Sequence, residues 1–399
     1  MPGFETIGKE EKDHVNEILE TGILMRYNFD NQRNNHWKAK EWEEAIQDKI
    51  QIRHAHLTSS GTTALITAVK ALGIGAGDEI ILPTFTFVAS VEALIFCNVI
   101  PVFADVDETL TLSPESVLKA ISPRTKAIMP VHMCGGMADL DQLNQIAKAN
   151  DLYLIEDACQ SIGGKFQNQY LGTIGDVGCF SFDFVKTITS GEGGAVLTQD
   201  SSIYEYAHQF SDHGHDHLGN DRGAEKHPTL GLNFRISELQ AAVGLAQWHK
   251  LDEILSQQRK IKSIIKNELL QFPEIQFRKY PDPSGDNGSF LSIFLTDETM
   301  TRKVVENLKS EGIPCAYWYD NHWHYIKKWD HFKHLKNDET YFAEFRDLLP
   351  DYENQDFSIS DQIISRTITF PISLKINEIT AKELGKKITE IIINQYNKK

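Results

Sequence analysis

The chain has 399 residues, 41 % hydrophobic and 24 % charged, values ordinary for a folded globular protein. Its formal net charge of −16 repels phosphate backbones, so nucleic acid is not an expected partner. No run of about 18 apolar residues is present to form a membrane-spanning helix. Residues 1–6 lack the basic and apolar regions of a signal peptide. The five cysteines are scattered without a C-x-x-C pair. A reducing cytoplasm is therefore the expected location, with neither disulfides nor a metal site.

In chain order, short apolar runs at 53–58, 79–82, 100–104, 127–131, 152–155, 177–182 and 194–198 read as strands. Periodic stretches at 64–72 and 140–149 read as helices between them. This alternation predicts an α/β unit over residues 1–250, a mostly parallel sheet covered by helices. Ligands of such sheets gather at the carboxyl ends of the strands. Residues 251–270 carry Leu251, Ile254, Leu255, Ile261, Ile264, Ile265 and Leu269 at helical spacing. Residues 281–285 form a Pro/Gly loop. A strand at 290–295, a helix at 302–311, and strands near 313–318 and 367–372 follow. A last helix begins at about Glu378 with Asn377 as its cap. These predict a smaller α+β unit over 251–399.

Three constellations fall at predicted strand ends. Thr58-Ser59-Ser60-Gly61-Thr62-Thr63 leads from a strand into a helix. Such a helix start offers free N–H groups and partial positive charge to a phosphate, although the pattern also suits an ordinary Ser-capped helix. Glu156 and Asp157 end the apolar strand before them. Lys186 follows a strand and sits beside Phe182, Phe184 and Val185. A lysine in apolar company is a candidate nucleophilic amine. The run Gly191-Glu192-Gly193-Gly194 lets backbone pass close to a bulky ligand. Together, a phosphate cradle, an acid and an amine are the protein parts that pyridoxal 5′-phosphate requires. The lysine forms the Schiff base and the acid faces the pyridinium nitrogen. A carboxylate there keeps the ring protonated, and so ready to accept electrons when a substrate Cα–H bond breaks.

These motifs occur together with Ala64-Leu65, Pro83-Thr84-Phe85-Thr86-Phe87, Val131-His132, Ala158-Cys159-Gln160, Phe180-Ser181-Phe182 and Gly231-Leu232-Asn233-Phe234-Arg235. In this order and spacing the chain resembles the DegT-type sugar aminotransferases, a branch of the aspartate-aminotransferase fold, fold type I of the pyridoxal enzymes. The resemblance runs over essentially the whole chain. It implies that Lys186 holds the cofactor and shuttles the substrate proton, and that Asp157 pairs with the pyridinium nitrogen. It implies Gln160 near the phenolic oxygen, Phe87 on the ring face, and the Gly61 and Thr62 amides with the Ser181 hydroxyl on the phosphate. It also implies a homodimer in which Asn233 reaches the neighbouring subunit's cofactor phosphate. Arg235 becomes a candidate for a carboxylate, and glutamate the expected donor.

Three segments depart from the common family pattern: 26–35, 213–217 and 317–325. They resemble the transaminases that make 8-amino-3,8-dideoxy-manno-octulosonate for lipopolysaccharide. The acceptor so implied is 8-oxo-3-deoxy-manno-octulosonate, a sugar acid, with Arg26, Arg33, His215, Arg235 and His322 as candidate contacts. The alternative acceptor is a nucleotide-linked 4-ketosugar. A sugar dehydratase is a further rival, but in the resembled family it goes with histidine where Lys186 stands. A non-catalytic regulator is the rival from another class. The three histidines at 213–217 are read as hydrogen-bonding groups rather than metal ligands.

Overall fold

The computed structural model describes residues 3–219, 221–338, 341–342 and 344–398. Its first strands are β1 (His54–Thr58), β2 (Glu79–Pro83), β3 (Ile100–Ala104), β4 (Thr125–Ile128) and β5 (Tyr153–Asp157). A short hairpin follows, β6 (Lys165–Phe166) and β7 (Gln169–Tyr170), and then β8 (Val177–Ser181) and β9 (Gly194–Thr198). Seven of these form one sheet in the order β1-β9-β8-β5-β4-β2-β3. From β3 across to β8 every neighbouring pair is parallel. Strand β9 alone runs against its neighbours, β8 and β1. All residues of β2, β8 and β9 are buried. Strands covered on both faces read as continuous apolar runs rather than alternating ones.

Strand β4 is shorter than expected. It ends at Ile128, and Val131 instead makes an isolated bridge to Asp157. The intervening Pro130 has no N–H for the ladder, but its carbonyl accepts the Asp157 amide at 3.0 Å.

Helices cover both faces of the sheet. The Gly61–Ala71 helix packs on β8 and β9, and the Lys38–Ile50 and Glu238–His249 helices pack on each other. Trp42 is fully buried at that crossing. A Cβ on Gly244 would lie 2.0 Å from the Trp42 ring, so the two helices can meet this closely only because residue 244 has no side chain. No helix among the described residues is long and apolar enough to cross a membrane.

The second half of the chain builds an antiparallel sheet of β10 (Gln276–Phe277), β11 (Phe290–Phe294) and β12 (Thr367–Pro371). Ile261, Ile265, Leu291, Ile293, Val304, Ile368, Ile388 and Ile392 form its core. The helix expected from Glu378 is present, and the Asn377 side chain accepts from the Thr380 amide. The expected strand at 313–318 is reduced to a single bridge between Ala316 and Thr369. Beyond it the chain leaves the sheet, and Trp318 and Tyr325 are buried in one cluster with Phe85. Large aromatic side chains gain more from burial than an edge strand gains from one more pairing. Residues 326–338 and 344–357 then return to the first sheet. Ile326, Trp329, Phe332 and Tyr352 enter the core that holds Phe103, and the Tyr352 hydroxyl donates to the Pro101 carbonyl at 2.9 Å.

The contact at Gly244 yields a test. Gly244→Ala forces the added methyl into the Trp42 ring and is expected to destabilise the fold by about 1–3 kcal/mol. A lowered thermal midpoint is the expected result, and an unchanged midpoint contradicts the packing described.

Candidate active site

Successive side chains of a strand point to opposite faces of the sheet, so the two acids ending β5 separate. Glu156 points into the interior. It accepts from His132 Nε2 at 3.0 Å and from the amides of Gly172, Ile174 and Gly175 at 2.9, 2.7 and 2.7 Å. Burial opposes its ionisation, but these donors outweigh burial and hold the carboxyl below its usual range. His132 Nδ1 accepts from the Ala138 amide at 3.2 Å, so the ring proton sits on Nε2.

Asp157 faces a cavity of 420 Å³ on the other side. Its Oδ2 accepts from the Ser90 hydroxyl at 2.6 Å and its Oδ1 from the Cys159 amide at 3.2 Å. Thr86 Oγ1 lies 2.6 Å from Ser90 Oγ. Because the Ser90 proton is given to Asp157, Thr86 is the donor in that pair. A two-hydroxyl relay therefore ends on the carboxylate.

The same cavity receives the helix start at Gly61. Ser60 Oγ accepts from the Thr63 amide at 3.1 Å, and Thr63 Oγ1 accepts from the Ser60 amide at 2.9 Å. This reciprocal cap leaves the first helical amides, Gly61 and Thr62, without an acceptor among the described residues. Ser181, at the end of β8, lies beside them. A Cβ on Gly61 would be 2.7 Å from Ser181 Cβ, and a Cβ on Gly194 would be 2.2 Å from the Ser60 carbonyl oxygen. Two absent side chains thus bring the helix start against β8 and β9, and the result is a cradle for an anion.

Lys186 enters from the loop after β8. It is 8 % exposed and has no carboxylate partner among the described residues. Its Nζ lies 5.9 Å from the centre of the Phe87 ring. Phe87 stands at the N-cap of the Val88–Phe96 helix, which also carries Ser90. Gln160 lines the cavity, and its Oε1 accepts from the Cys134 amide at 3.2 Å. The backbone carbonyl of Lys186 accepts from the Gly3 amide at 2.9 Å, so the N-terminal segment steadies this loop. An amine without a carboxylate partner among the described residues, a buried acid, an aromatic face and an anion cradle in one cavity fit pyridoxal 5′-phosphate.

Other expected residues lie elsewhere. The structure corrects the reading of Arg26 and Arg33 as substrate contacts. Arg26 is buried and bidentate to Glu43 at 2.7 and 2.9 Å, with a further bond to the Leu57 carbonyl. Arg33 binds the carbonyls of Met25, Tyr27 and Asn28, stacks on Trp37 and faces Glu238. Both guanidinium groups order the N-terminal segment instead of facing the cavity. His215 pairs with Glu225 at 2.8 Å and lies against the His227 ring. Arg235 pairs with Asp212, which also receives two bonds from Arg222. Asn233 is exposed and outside this chain's own cavity, and so is His322. Among the described residues no cluster of three or more His, Cys, Asp or Glu is placed to hold a metal.

The cavity also holds residues not foreseen in these roles. Ser90 could have been found by counting three positions on from Phe87 along the new helix. Trp323 and His324 line the cavity as well. Alternation in His322-Trp323-His324 does not say which histidine turns inward; that is decided by backbone pairing of 323–325 against 84–88.

This architecture and this site define a pyridoxal-phosphate-dependent enzyme of fold type I. The model of the DegT/DnrJ/EryC1/StrS aminotransferase family matches residues 5–389, and the chain belongs to that family. It is an aminotransferase, and pyridoxal 5′-phosphate is its cofactor. It is similar to the GDP-perosamine synthase of Vibrio cholerae, 36 % identical over 299 residues, 74 % of this chain and 76 % of the relative. It is also 35 % identical over 287 residues to the UDP-N-acetyl-3-dehydro-alpha-D-glucosamine 3-aminotransferase of Acidithiobacillus ferrooxidans, 70 % of this chain and 74 % of the relative. The solved structure of the Helicobacter pylori aminotransferase PseC shares the fold, with a TM-score of 0.82, 23 % identity and 98 % of each chain covered.

Two tests follow from the geometry. Ser90→Ala removes one of the two hydrogen bonds to the Asp157 carboxylate. A bond to a charged group is worth about 1.5–3 kcal/mol, so pyridoxal phosphate affinity is expected to fall about tenfold or more, measured by quenching of protein fluorescence. Unchanged affinity contradicts the relay. Asp212 provides a pH test. Burial raises its carboxyl, but Arg222 and Arg235 outweigh burial and bring it down to about 2. Its stabilising effect is therefore present above the ordinary carboxylate range and lost as pH falls towards about 2. The thermal midpoint of Asp212→Asn is expected below that of wild type at pH 6, with a gap that shrinks by pH 3. A gap that does not change with pH contradicts the ion pair.

Proposed function

We propose that this enzyme moves an amino group from glutamate to the keto group of a nucleotide-linked sugar. The observation that carries the reading is the single cavity in which the Lys186 amine, the Asp157 carboxylate and the Gly61–Thr62 cradle converge. When bound, pyridoxal phosphate supplies an electron sink for the breaking of a bond at a substrate carbon. The Lys186 amine takes up and returns the proton at that carbon. Asp157 holds a proton at the ring nitrogen, and Ser90 and the Cys159 amide keep the carboxylate aimed. Phe87 covers one ring face and excludes water. The Gly61 and Thr62 amides with Ser181 anchor the phosphate. Asn233, exposed and outside its own cavity, is proposed to serve the cofactor phosphate of a second copy in a homodimer.

The acceptor is read as nucleotide-linked rather than as a sugar acid because the cations expected to hold a sugar carboxylate are not in the cavity. Asp157, Asp183 and Glu192 line the cavity, and Lys186 is the one lysine or arginine among its described residues. Arg26 and Arg33, which a sugar carboxylate would have needed, are engaged by Glu43, Glu238 and backbone carbonyls. The GDP- and UDP-sugar names of the relatives support the same choice. Lysine at position 186 supports amine transfer over sugar dehydration.

Purified protein is expected to be yellow and to bleach with glutamate, and Lys186→Ala to lose turnover by several orders of magnitude. Full steady-state turnover by Lys186→Ala overturns the assignment. The acceptor is tested with GDP-4-keto-6-deoxymannose against 8-oxo-3-deoxy-manno-octulosonate. Return of the yellow colour with the nucleotide sugar is the expected result. Return only with the octulosonate restores the sugar-acid acceptor to which segments 26–35, 213–217 and 317–325 pointed.

A further inference from the structure

We infer that His324 reads a hydroxyl of the acceptor sugar, through a ring nitrogen held as a hydrogen-bond acceptor in the cavity wall. The inference rests on the sugar-aminotransferase reading and adds to it a specificity residue and a chemical requirement on the substrate.

The first argument is placement. Residues 323–326 lie along 84–88 like an added strand. The Thr86 amide donates to the His324 carbonyl at 3.0 Å, the Val88 amide to the Trp323 carbonyl at 2.9 Å, and the Ile326 amide to the Thr84 carbonyl at 3.2 Å. His324 is thus tied to the segment that carries Phe87, Thr86 and, one turn later, Ser90. Its ring lies 5.3 Å from that of Phe87 and 4.7 Å from that of Trp318, and the Trp323 ring stacks on Phe87 at 5.8 Å. The ring packs against Phe87 and Trp318 and lines the cavity with Lys186.

The second argument is the tautomer. His324 Nδ1 lies 2.9 Å from Asn321 Oδ1, and the same oxygen accepts from the Trp323 amide at 2.9 Å. An amide oxygen has no proton to give, so Nδ1 carries the hydrogen. In a neutral imidazole the other nitrogen, Nε2, then presents a lone pair. It has no hydrogen-bond partner among the described residues. Burial, with the Lys186 charge in addition, pushes the ring down to about 3, so it remains neutral at physiological pH.

A lone pair at this wall has a definite preference. It accepts from a hydroxyl and is repelled by a carboxylate or phosphate. Asp183 and Glu192 on the same lining add to that exclusion. The part of the acceptor beside its reacting carbonyl is therefore a neutral, hydroxylated carbon, and its anionic group lies outside this wall. A site built to bond a substrate hydroxyl discriminates strongly against analogues that lack it.

The test compares His324→Phe, which keeps an aromatic ring but has no acceptor, with His324→Gln, whose amide oxygen reaches the position of Nε2. The holoenzyme is assayed in each half-reaction, with glutamate as donor and GDP-4-keto-6-deoxymannose or 8-oxo-3-deoxy-manno-octulosonate as acceptor. Dissociation of GDP-perosamine from the pyridoxal form is measured by calorimetry alongside. For His324→Phe, kcat/KM in the acceptor half-reaction is expected to fall at least tenfold more than in the glutamate half-reaction. Binding of the amino sugar that matches the active acceptor is expected to weaken by a similar factor, and His324→Gln to recover part of both. Equal losses in the two half-reactions, or a His324→Phe enzyme within twofold of wild type, overturn the inference alone. A wild-type enzyme that bleaches with glutamate and aminates neither sugar overturns the reading beneath it, and the inference with it.

Discussion

A carboxyl group that is 3 % exposed must be met by hydrogen-bond donors or its burial is costly. Asp157 is in that position, and much of the site follows from how it is met. Its backbone carbonyl accepts from His132 and its amide donates to Pro130, which fixes where β5 ends. Its side chain takes the Ser90 hydroxyl from one helix and the Cys159 amide from the turn after the strand. Cys159 lies beside it as a neutral thiol, because burial and the Asp157 charge raise its titration well above the usual range. The acid that a pyridinium would need is therefore aimed and shielded before any ligand arrives.

The neighbouring Glu156 shows what the other face of the strand requires. Four donors converge on it from His132 and the 172–175 turn. That network locks the start of β8, the strand that delivers Ser181 and then Lys186. Two adjacent acids thus divide the work: one faces the ligand, and the other holds the frame that positions the amine. The anion cradle completes the set through absent side chains at Gly61 and Gly194.

Much of this was legible from the chain. The apolar runs located all seven strands of the main sheet, and the two constellations around Asp157 and Lys186, with the helix start at Gly61, are in one cavity. Less legible was anything that depends on contacts distant in sequence. Arg26 and Arg33 look like ligands for an anion until Glu43 and Glu238 are seen beside them. The aromatic run at 317–325 divides in a way its pattern does not show: Tyr325 is core, Trp318 is both core and cavity wall, and Trp323 and His324 are wall. A boundary at residue 250 likewise omits the return of Ile326, Trp329, Phe332 and Tyr352 to the first core, because that return is fixed by burial against Phe103 and not by local pattern.

The most direct test of the account is where the cofactor attaches. Borohydride reduction of the yellow protein, digestion and peptide mass analysis reports the modified lysine. The account predicts a pyridoxyl mass on the peptide that contains Lys186 and on no other. Modification of another lysine, or none at all, would contradict it.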